Sequence, residues 1–271
     1  IKITRKVKAL DIIIRTCGSV NMLTQNKTRL FQKNKIEYTL RTIRSLLHST
    51  SDVKLNGLDI KFKIIDHNST NENLKEIDNI FKKFKKEYSL IKLDVSKFKN
   101  KIKKINQRGE EVTFNQISNM ANINQSLIEA KNCKDLIYFV EDDYVHKKNS
   151  VKEMIFTYER ISSQVNNELI ICPTDYPYLY AKAEITQNFL GHQHHWRKVN
   201  ETLCTFLTSR QIVEKYWKNY ISMCEIEHAP FEKPMHDIYE KELCISPIPS
   251  LALHFTNVNS IFGLSPNTDW E

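Results

Sequence analysis

Three adjacent acids, Glu141, Asp142 and Asp143, directly follow the apolar run 136–140. No turn residue separates them from that run, so the carboxylates should lie at the end of a buried strand. Three neighbouring carboxylates repel one another unless a cation or solvent screens them. Oxygen ligands suit Mg²⁺ or Mn²⁺, which a nucleotide diphosphate would help to coordinate. Alternate side chains of an extended chain share a face, so Glu141 and Asp143 should point together and Asp142 away from them.

The elements along the chain predict how these acids are positioned. Apolar, β-branched runs predict strands and helical spacing of apolar residues predicts helices, in the order strand 10–16, helix 36–47, strand 58–65, helix 74–84, strand 88–95, helix 115–130, strand 136–140, helix 151–161 and strand 169–171. This alternation predicts a three-layer α/β sandwich with a mostly parallel central sheet. The carboxyl ends of parallel strands meet at one edge, which would gather Arg15, Thr16, residues 66–68 and the acidic triplet.

An apolar strand that runs into an acidic triplet resembles the DxD motif of GT-A-fold glycosyltransferases, especially the family 2-like enzymes. Asp143 matches the metal-binding aspartate, and Glu141 replaces the usual first Asp. Residues 66–69, Asp-His-Asn-Ser, are similar to the Asp-Asp-Gly-Ser turn that holds the nucleotide base and ribose in that family. His67 and Asn68 depart from that pattern. The resemblance implies a GT-A, Rossmann-like fold and a donor site that includes Arg15, Thr16, Asp66, Asn68 and Asp142.

The resemblance continues in the second half of the chain. Residues 202–210 are similar to the strand-then-Arg segment that lines the acceptor site, with a helix predicted near 210–220 and a short segment at 203–207. The pair His236-Asp237 falls where the family places a Glu-Asp pair, so Asp237 is implied as the catalytic base and His236 as an acceptor-site residue. His254, on a late strand at 251–255, is implied as a third metal ligand.

Residues 192–197, His-Gln-His-His-Trp-Arg, form the most unusual local segment. Alternating His192 and His194 could bind a metal from one strand face, although no HExxH-type signature supports a zinc hydrolase. We favour a loop over the donor or the acceptor, in which Trp196 stacks on a sugar and Arg197 pairs with phosphate. Asp175, among turn residues and aromatics, is expected to shape the acceptor pocket.

The resemblance implies a metal-dependent, hexosyltransferase-type enzyme with Mn²⁺ or Mg²⁺ as cofactor. It would move a sugar from a UDP- or GDP-linked donor to a hydroxyl of a glycan or lipid-linked acceptor, with inversion, in glycan or polysaccharide synthesis. We expect one domain with a nucleotide-sugar-binding half at 1–145 and an acceptor-binding, catalytic-base half at 146–271. The chain could be one module of a larger protein.

The charge distribution leaves other functions open. The chain carries a net charge of +8, and residues 82–108 contain eleven Lys and Arg against two acids. Such a segment could attract an anionic membrane surface, a phosphorylated substrate or nucleic acid, so a basic nucleic-acid-binding module is an alternative, with nucleic acid the less favoured partner. A sugar nucleotidyltransferase is a second alternative, but those enzymes usually carry a glycine-rich phosphate loop, and the N-terminal region offers only Gly18.

Composition also bears on the compartment. Six dispersed cysteines without a CxxC pair favour neither a disulfide framework nor a structural zinc site. No apolar run approaches the roughly 20 residues that span a bilayer, and no secretory signal is evident. We therefore expect a cytoplasmic protein. Peripheral contact with a membrane through the basic segment is compatible with this prediction.

Overall fold

The computed structural model describes residues 2–18 and 33–255 of the 271-residue chain. Helices and strands follow one another in the order that the sequence predicts for the first half. The strands are β1 (Ala9–Thr16), β2 (Asp59–Asp66), β3 (Ser89–Lys92), β4 (Leu136–Glu141), β5 (Tyr144–His146), β6 (Ile170–Ile171), β7 (Asn188–Leu190), β8 (His195–Lys198), β9 (Phe206–Ser209), β10 (Cys244–Ile248) and β11 (Ala252–His254). The helices are α1 (Lys35–Ser49), α2 (Asn71–Lys83), α3 (Ser96–Lys99), α4 (Phe114–Ala130), α5 (Ser150–Val165), α6 (Arg210–Lys215), α7 (Trp217–Glu225) and α8 (Lys233–Tyr239).

Among the described residues, nine strands form one sheet in the order β3-β2-β1-β4-β9-β6-β10-β8-β7. Strands β3, β2, β1 and β4 are parallel neighbours, as are β6 and β10. Strand β9 runs antiparallel between β4 and β6, and β8 is antiparallel to both β10 and β7. The predicted α/β class is confirmed, and the prediction of a mostly parallel sheet holds for its core. Beyond β4 the sheet is mixed.

Helices cover both faces of the parallel core. Ile12 and Ile14 of β1 pack into one apolar cluster with α1, α2 and α5, whereas Ile13 packs into the other with α4, α7 and α8. A strand that is buried on both faces has no polar side to show in its sequence. This explains why the first strand is mostly apolar, interrupted only by Asp11 before Arg15 and Thr16 at its end, rather than alternating.

A separate two-stranded antiparallel sheet lies next to the carboxyl end of β4. Strand β5 begins three residues after Glu141, and β11 pairs with it antiparallel, with His254 opposite Tyr144. The Phe255 backbone N–H also donates to the Asp143 carbonyl at 2.9 Å. This two-stranded sheet therefore places β11 next to the acidic triplet.

Two expectations are corrected in detail, and the basic segment 82–108 has structure of its own. Helix α3 lies within this segment, and Ile105 of the segment pairs antiparallel with Glu111 just beyond it. The helix predicted near 210–220 is two helices, α6 and α7, which are separated at Tyr216. The segment 203–207 becomes a strand only from Phe206 onward.

Among the described helices, none is both long and apolar enough to cross a bilayer. The proposed halves 1–145 and 146–271 include residue 1, residues 19–32 and residues 256–271, which lie outside the described residues.

Candidate metal centre

The three residues predicted as metal ligands converge at the carboxyl edge of the sheet. Glu141 ends β4, Asp143 lies in the following turn, and His254 arrives on β11. One ligand atom from each of the three lies within 4.8 Å of the others, and His254 Nε2 is 3.0 Å from Asp143 Oδ2. Two carboxylates and an imidazole form a donor set of the kind that binds a divalent cation. The residues present therefore fit a metal ion.

Basic groups partly balance the acids at this edge. Arg15, opposite Glu141 in the β1–β4 register, donates to Glu141 Oε1 at 2.7 Å. Burial would raise the pKa of Asp143, but His254, Lys35 and Arg15 outweigh it and hold that pKa at about 2. Burial raises the pKa of Glu141 in spite of Arg15. Asp143 is thus held as a carboxylate, the form that a cation requires of its ligand.

His254 is positioned by an aromatic neighbour as well as by Asp143. Its ring stacks on Tyr144 with centroids 4.5 Å apart and planes 11° from parallel. Burial would lower the pKa of His254, but Asp143 raises it above its ordinary value. A cation bound between the two residues would take the place of the imidazolium proton, because a histidine ligand must be neutral.

Asp142 turns the other way, as alternation along the strand predicts. Its carboxylate forms an ion pair with Lys35 and accepts hydrogen bonds from Thr39 Oγ1 at 2.8 Å and from the Cys17 N–H at 3.3 Å. Lys35 and Thr39 both lie on α1. The structure therefore places this predicted donor-site residue where it fastens α1 to the sheet edge.

The predicted donor turn lies beside the metal centre, at the end of β2. Asp66 accepts from Thr16 Oγ1 at 2.7 Å and from the Ser69 N–H at 3.1 Å. Asn68 is exposed and has a left-handed backbone, with φ 58°. Buried His67 bonds to Ser118 of α4, with 2.6 Å between Nδ1 and Oγ. These bonds give the turn a fixed shape at the edge where Arg15 also lies.

Arg197 and Trp196, both predicted to contact a ligand, have different surroundings in the structure. Arg197 pairs with Asp175, with Nη2 and Oδ1 3.0 Å apart, and Tyr180 donates to the same carboxylate at 2.6 Å. Trp196 is fully buried, and its indole N–H donates to Glu153 of α5 at 3.3 Å. This corrects the expectation that Trp196 stacks on a sugar, since no face of its ring is open to one.

The predicted base and its neighbour lie on α8, where Asp237 is exposed and His236 is half-buried. Two acids that the sequence did not single out lie close to this helix. Half-buried Glu201 is hydrogen-bonded to Tyr178 and faces His236, and burial raises its pKa. Glu232, directly before α8, is only 3% exposed, and burial raises its pKa to about 7.

Lys35, Glu201 and Glu232 have no local signal that could have identified them. Each is a single charged residue in an ordinary polar context, and only the folded chain brings it near the others. A run of acids after an apolar strand can be recognised in the sequence, whereas a single acid buried by distant elements cannot.

No protein-family model matches the chain, and no curated protein matches it in sequence. Similar solved structures include S. aureus TarS 1-349 in complex with UDP, at 8% identity and a TM-score of 0.44, covering 80% of this chain and 55% of that one. They also include the galactosyltransferase LgtC in complex with donor and acceptor sugar analogs, at 10% identity and a TM-score of 0.41, covering 86% and 70%. Mouse xyloside xylosyltransferase 1, apo form, is similar at 9% identity and a TM-score of 0.40, covering 87% and 77%.

The chain spans about half the length of that TarS structure and 29% of a longer TarS structure.

Proposed function

We propose that the chain is a metal-dependent glycosyltransferase of the GT-A type, family 2-like, that moves a hexose from a UDP- or GDP-sugar to an acceptor hydroxyl. One observation carries the proposal: Glu141, Asp143 and His254 meet at the carboxyl edge of a parallel sheet, beside Arg15 and the 66–69 turn. In open α/β sheets this edge is where ligands bind. The acceptor would be a glycan or a lipid-linked sugar in glycan synthesis.

The cofactor would be Mn²⁺ or Mg²⁺, held by Glu141, Asp143 and His254. When bound, the ion would neutralise charge on the leaving diphosphate as a Lewis acid. Arg15 would add positive charge to the same edge, since it already lies against Glu141. Lys35, paired with Asp142, lies at the same edge, so the bound cation together with Arg15 and Lys35 would suit the edge to an anionic donor.

The base and ribose of the donor would lie against the 66–69 turn. Asp66 of that turn accepts a hydrogen bond from Thr16 at the end of β1, so the two residues would present a preformed surface, with exposed Asn68 beside it. Asp142 would support the donor side indirectly, by fixing α1 at the edge.

The acceptor would approach from the side formed by the second half of the chain. Asp175 lies there in a buried pair with Arg197, which we propose contacts the donor phosphate, and the Tyr180 ring lies over the guanidinium at 4.6 Å. Tyr180 offers an aromatic surface of the kind that suits sugar faces. We propose Asp237, with His236 beside it, as the base that deprotonates the attacking hydroxyl. One direct displacement would invert the anomeric centre.

Glu201 is a second candidate for the base. It is half-buried beside Tyr178 and has a raised pKa, which is the usual condition of a general base that works near neutral pH. Asp237 is exposed rather than half-buried, and it is therefore open to an acceptor that arrives from solvent.

Two alternatives have less support. A sugar nucleotidyltransferase would need a phosphate loop, and β1 is followed by a single glycine, Gly18. A nucleic-acid-binding module would use residues 82–108, but the aromatic side chain of α3, Phe98, is buried in the core rather than exposed for base stacking. We propose a cytoplasmic protein, in which the six cysteines would stay reduced.

The test is calorimetric titration of UDP and of GDP with and without Mn²⁺. One of the two nucleotides should bind only when Mn²⁺ is present, and Asp143→Asn should weaken that binding about 10- to 100-fold. Asp59→Asn, at the opposite end of β2, where Asp59 pairs with Lys134, is the matched control and should bind like the wild type. Nucleotide binding that ignores both Mn²⁺ and Asp143→Asn would refute the proposed function.

A further inference from the structure

Glu232 is a buried carboxylate that no cation among the described residues pairs with. It accepts hydrogen bonds from the Thr202 N–H at 3.2 Å, from Thr202 Oγ1 at 3.1 Å and from the Tyr239 hydroxyl at 3.2 Å. The Leu203 N–H also donates to it. The Thr202 and Tyr239 hydroxyls also lie 2.8 Å from each other, so the two hydroxyls and two backbone N–H groups form one network around the carboxyl group. A carboxyl group offers this network two oxygens, whereas the amide of Gln offers only one acceptor oxygen.

The turn that Glu232 holds has an unfavourable backbone. Leu203 and Cys204 are consecutive non-glycine residues in the left-handed region, with φ 49° and 63°. Such conformations persist only where the surroundings fix them, and they are concentrated at functional sites. The carboxylate fixes this turn from one side through the N–H groups of Thr202 and Leu203, and Thr205 closes it by donating its N–H to the Thr202 carbonyl at 3.2 Å.

The same turn reaches the candidate metal centre by a direct hydrogen bond. Thr205 Oγ1 accepts the backbone N–H of Glu141 at 3.1 Å. Because Glu141 is a proposed ligand at the last position of β4, the turn contacts the backbone that carries a ligand.

A second connection reaches the third proposed ligand. The Tyr176 hydroxyl donates to the Thr202 carbonyl at 3.0 Å and lies 2.7 Å from the Tyr144 hydroxyl. The Tyr144 ring stacks on His254. Thr202 is therefore linked through two buried tyrosines to the imidazole, so the turn is connected to two proposed ligands by separate paths.

From this geometry we infer that Glu232 is a positioning residue for the metal centre, acting through the 202–205 turn on Glu141 and His254. The inference rests on the proposed function insofar as Glu141, Asp143 and His254 hold a divalent cation. Outer groups that fix the orientation of metal ligands commonly change metal affinity about 10- to 100-fold when they are removed. Glu232 would do so without touching the cation or any of its ligands.

The test is Mn²⁺ affinity, measured by titration and by the electron paramagnetic resonance of free Mn²⁺, on the full chain. Glu232→Gln keeps the shape of the side chain but presents an amide N–H₂ to groups that are themselves donors. We expect its Mn²⁺ Kd to rise about tenfold. Glu232→Asp, which restores two acceptor oxygens, should recover part of the affinity, an outcome that simple loss of packing would not produce.

Glu242→Gln is the matched control for general destabilisation. Glu242 is also 3% exposed and also accepts several hydrogen bonds, from Lys215, Tyr216 and Asn167, but these bonds do not lead to the metal centre. Glu242→Gln should lower the thermal midpoint of unfolding. Its Mn²⁺ Kd should stay within about twofold of the wild-type value, because Glu242 does not support any of the proposed ligands.

Thr205→Val supplies a second, milder variant in case Glu232→Gln does not fold. It removes only the hydroxyl that accepts the Glu141 N–H, and we expect a several-fold rise in the Mn²⁺ Kd. If Glu232→Gln binds Mn²⁺ with wild-type affinity, the role of Glu232 is overturned, but the proposed metal site is not. If Glu232→Gln is unfolded, wild-type affinity in Thr205→Val has the same meaning. A wild-type chain that binds no Mn²⁺ would overturn the proposed function, and this inference with it.

Discussion

At the scale of single residues, the acidic triplet divides into two functions. Glu141 and Asp143 face His254, whereas Asp142 faces Lys35 and Thr39 of α1. The period of two along an extended chain is sufficient to predict this division from the sequence. The same triplet therefore supplies two proposed metal ligands and one attachment point for a helix, and the attachment keeps Lys35 close to the proposed ligands.

Glu153 shows how a single buried acid shapes a loop that the sequence assigns to ligand binding. It is fully buried on α5 and accepts the backbone N–H groups of Gln193 and His194 and the indole N–H of Trp196. Burial would raise its pKa, but His194 and these donors outweigh it and lower the pKa to about 2. The segment 192–197 is thus fixed against α5.

This pKa predicts how stability depends on pH. A carboxyl whose pKa is lower in the folded than in the unfolded chain stabilises the fold above its ordinary pKa of about 4.5, and loses that contribution as the pH falls towards 2. The shift corresponds to about 3 kcal/mol at pH 7. We expect Glu153→Gln to lower the free energy of unfolding by about 2–3 kcal/mol at pH 7, and by much less at pH 3.

Urea denaturation at pH 7, 4 and 3 measures this difference. Exposed Glu184→Gln, in the segment before β7, is the control and should match the wild type at each pH. A deficit in Glu153→Gln that stays constant down to pH 3 would show that packing, rather than the charge, is what the variant loses.

At the scale of elements, the sequence predicts the parallel core well. Strands β1, β2 and β4 and helices α1, α4 and α5 lie within a few residues of their predicted positions, because each is long and its apolar residues have a clear period. Strand β9 shows the limit: its apolar residues are compatible with either direction, and its place between β4 and β6 is set by distant pairing. Short edge strands such as β7 carry too few buried positions to be recognised.

The candidate site also has residues that the sequence predicts and residues that only the folded structure brings together. The proposed ligands are predictable because Glu141 and Asp143 lie two residues apart after an apolar strand, and because the family resemblance implies a histidine ligand at His254. Lys35 and Glu232 were not, because their relation to the site arises only when α1 and α8 pack against the sheet. Burial of Trp196 was also not predictable, since an aromatic residue beside an Arg is equally compatible with a loop over a ligand and with the core.

Helix α8 carries the proposed base Asp237, and experiment can distinguish it from Glu201, the second candidate. Asp237→Asn should lower UDP release from UDP-sugars, in the presence of Mn²⁺ and a panel of sugar acceptors, by about 10²-fold or more, as expected for removal of a general base. The affinity for UDP should not change, because the base does not contact the nucleotide. Glu240→Gln, exposed at the end of the same helix, is the control. A loss in Glu201→Gln with normal release in Asp237→Asn would assign the base to Glu201 instead.

At the scale of the whole molecule, the proposed donor and acceptor halves share one sheet. Strand β9 of the second half pairs with β4 of the first, and both apolar clusters contain residues from before and after residue 145. Neither half can therefore bury its own apolar surface. A boundary of function near residue 145 does not coincide with a boundary of folding.

This continuity predicts a single cooperative unfolding transition. Differential scanning calorimetry should give a calorimetric enthalpy equal to the van't Hoff enthalpy, on the order of 190 kcal/mol at about 0.7 kcal/mol per residue. Truncation after residue 149 should yield a chain that binds hydrophobic dyes and aggregates, because it exposes the β4 edge and the apolar residues that α5 and α7 cover. Two separable transitions, or a truncated chain that folds and still binds Mn²⁺, would show instead that the donor half is an independent domain and that the shared sheet contributes little to its stability.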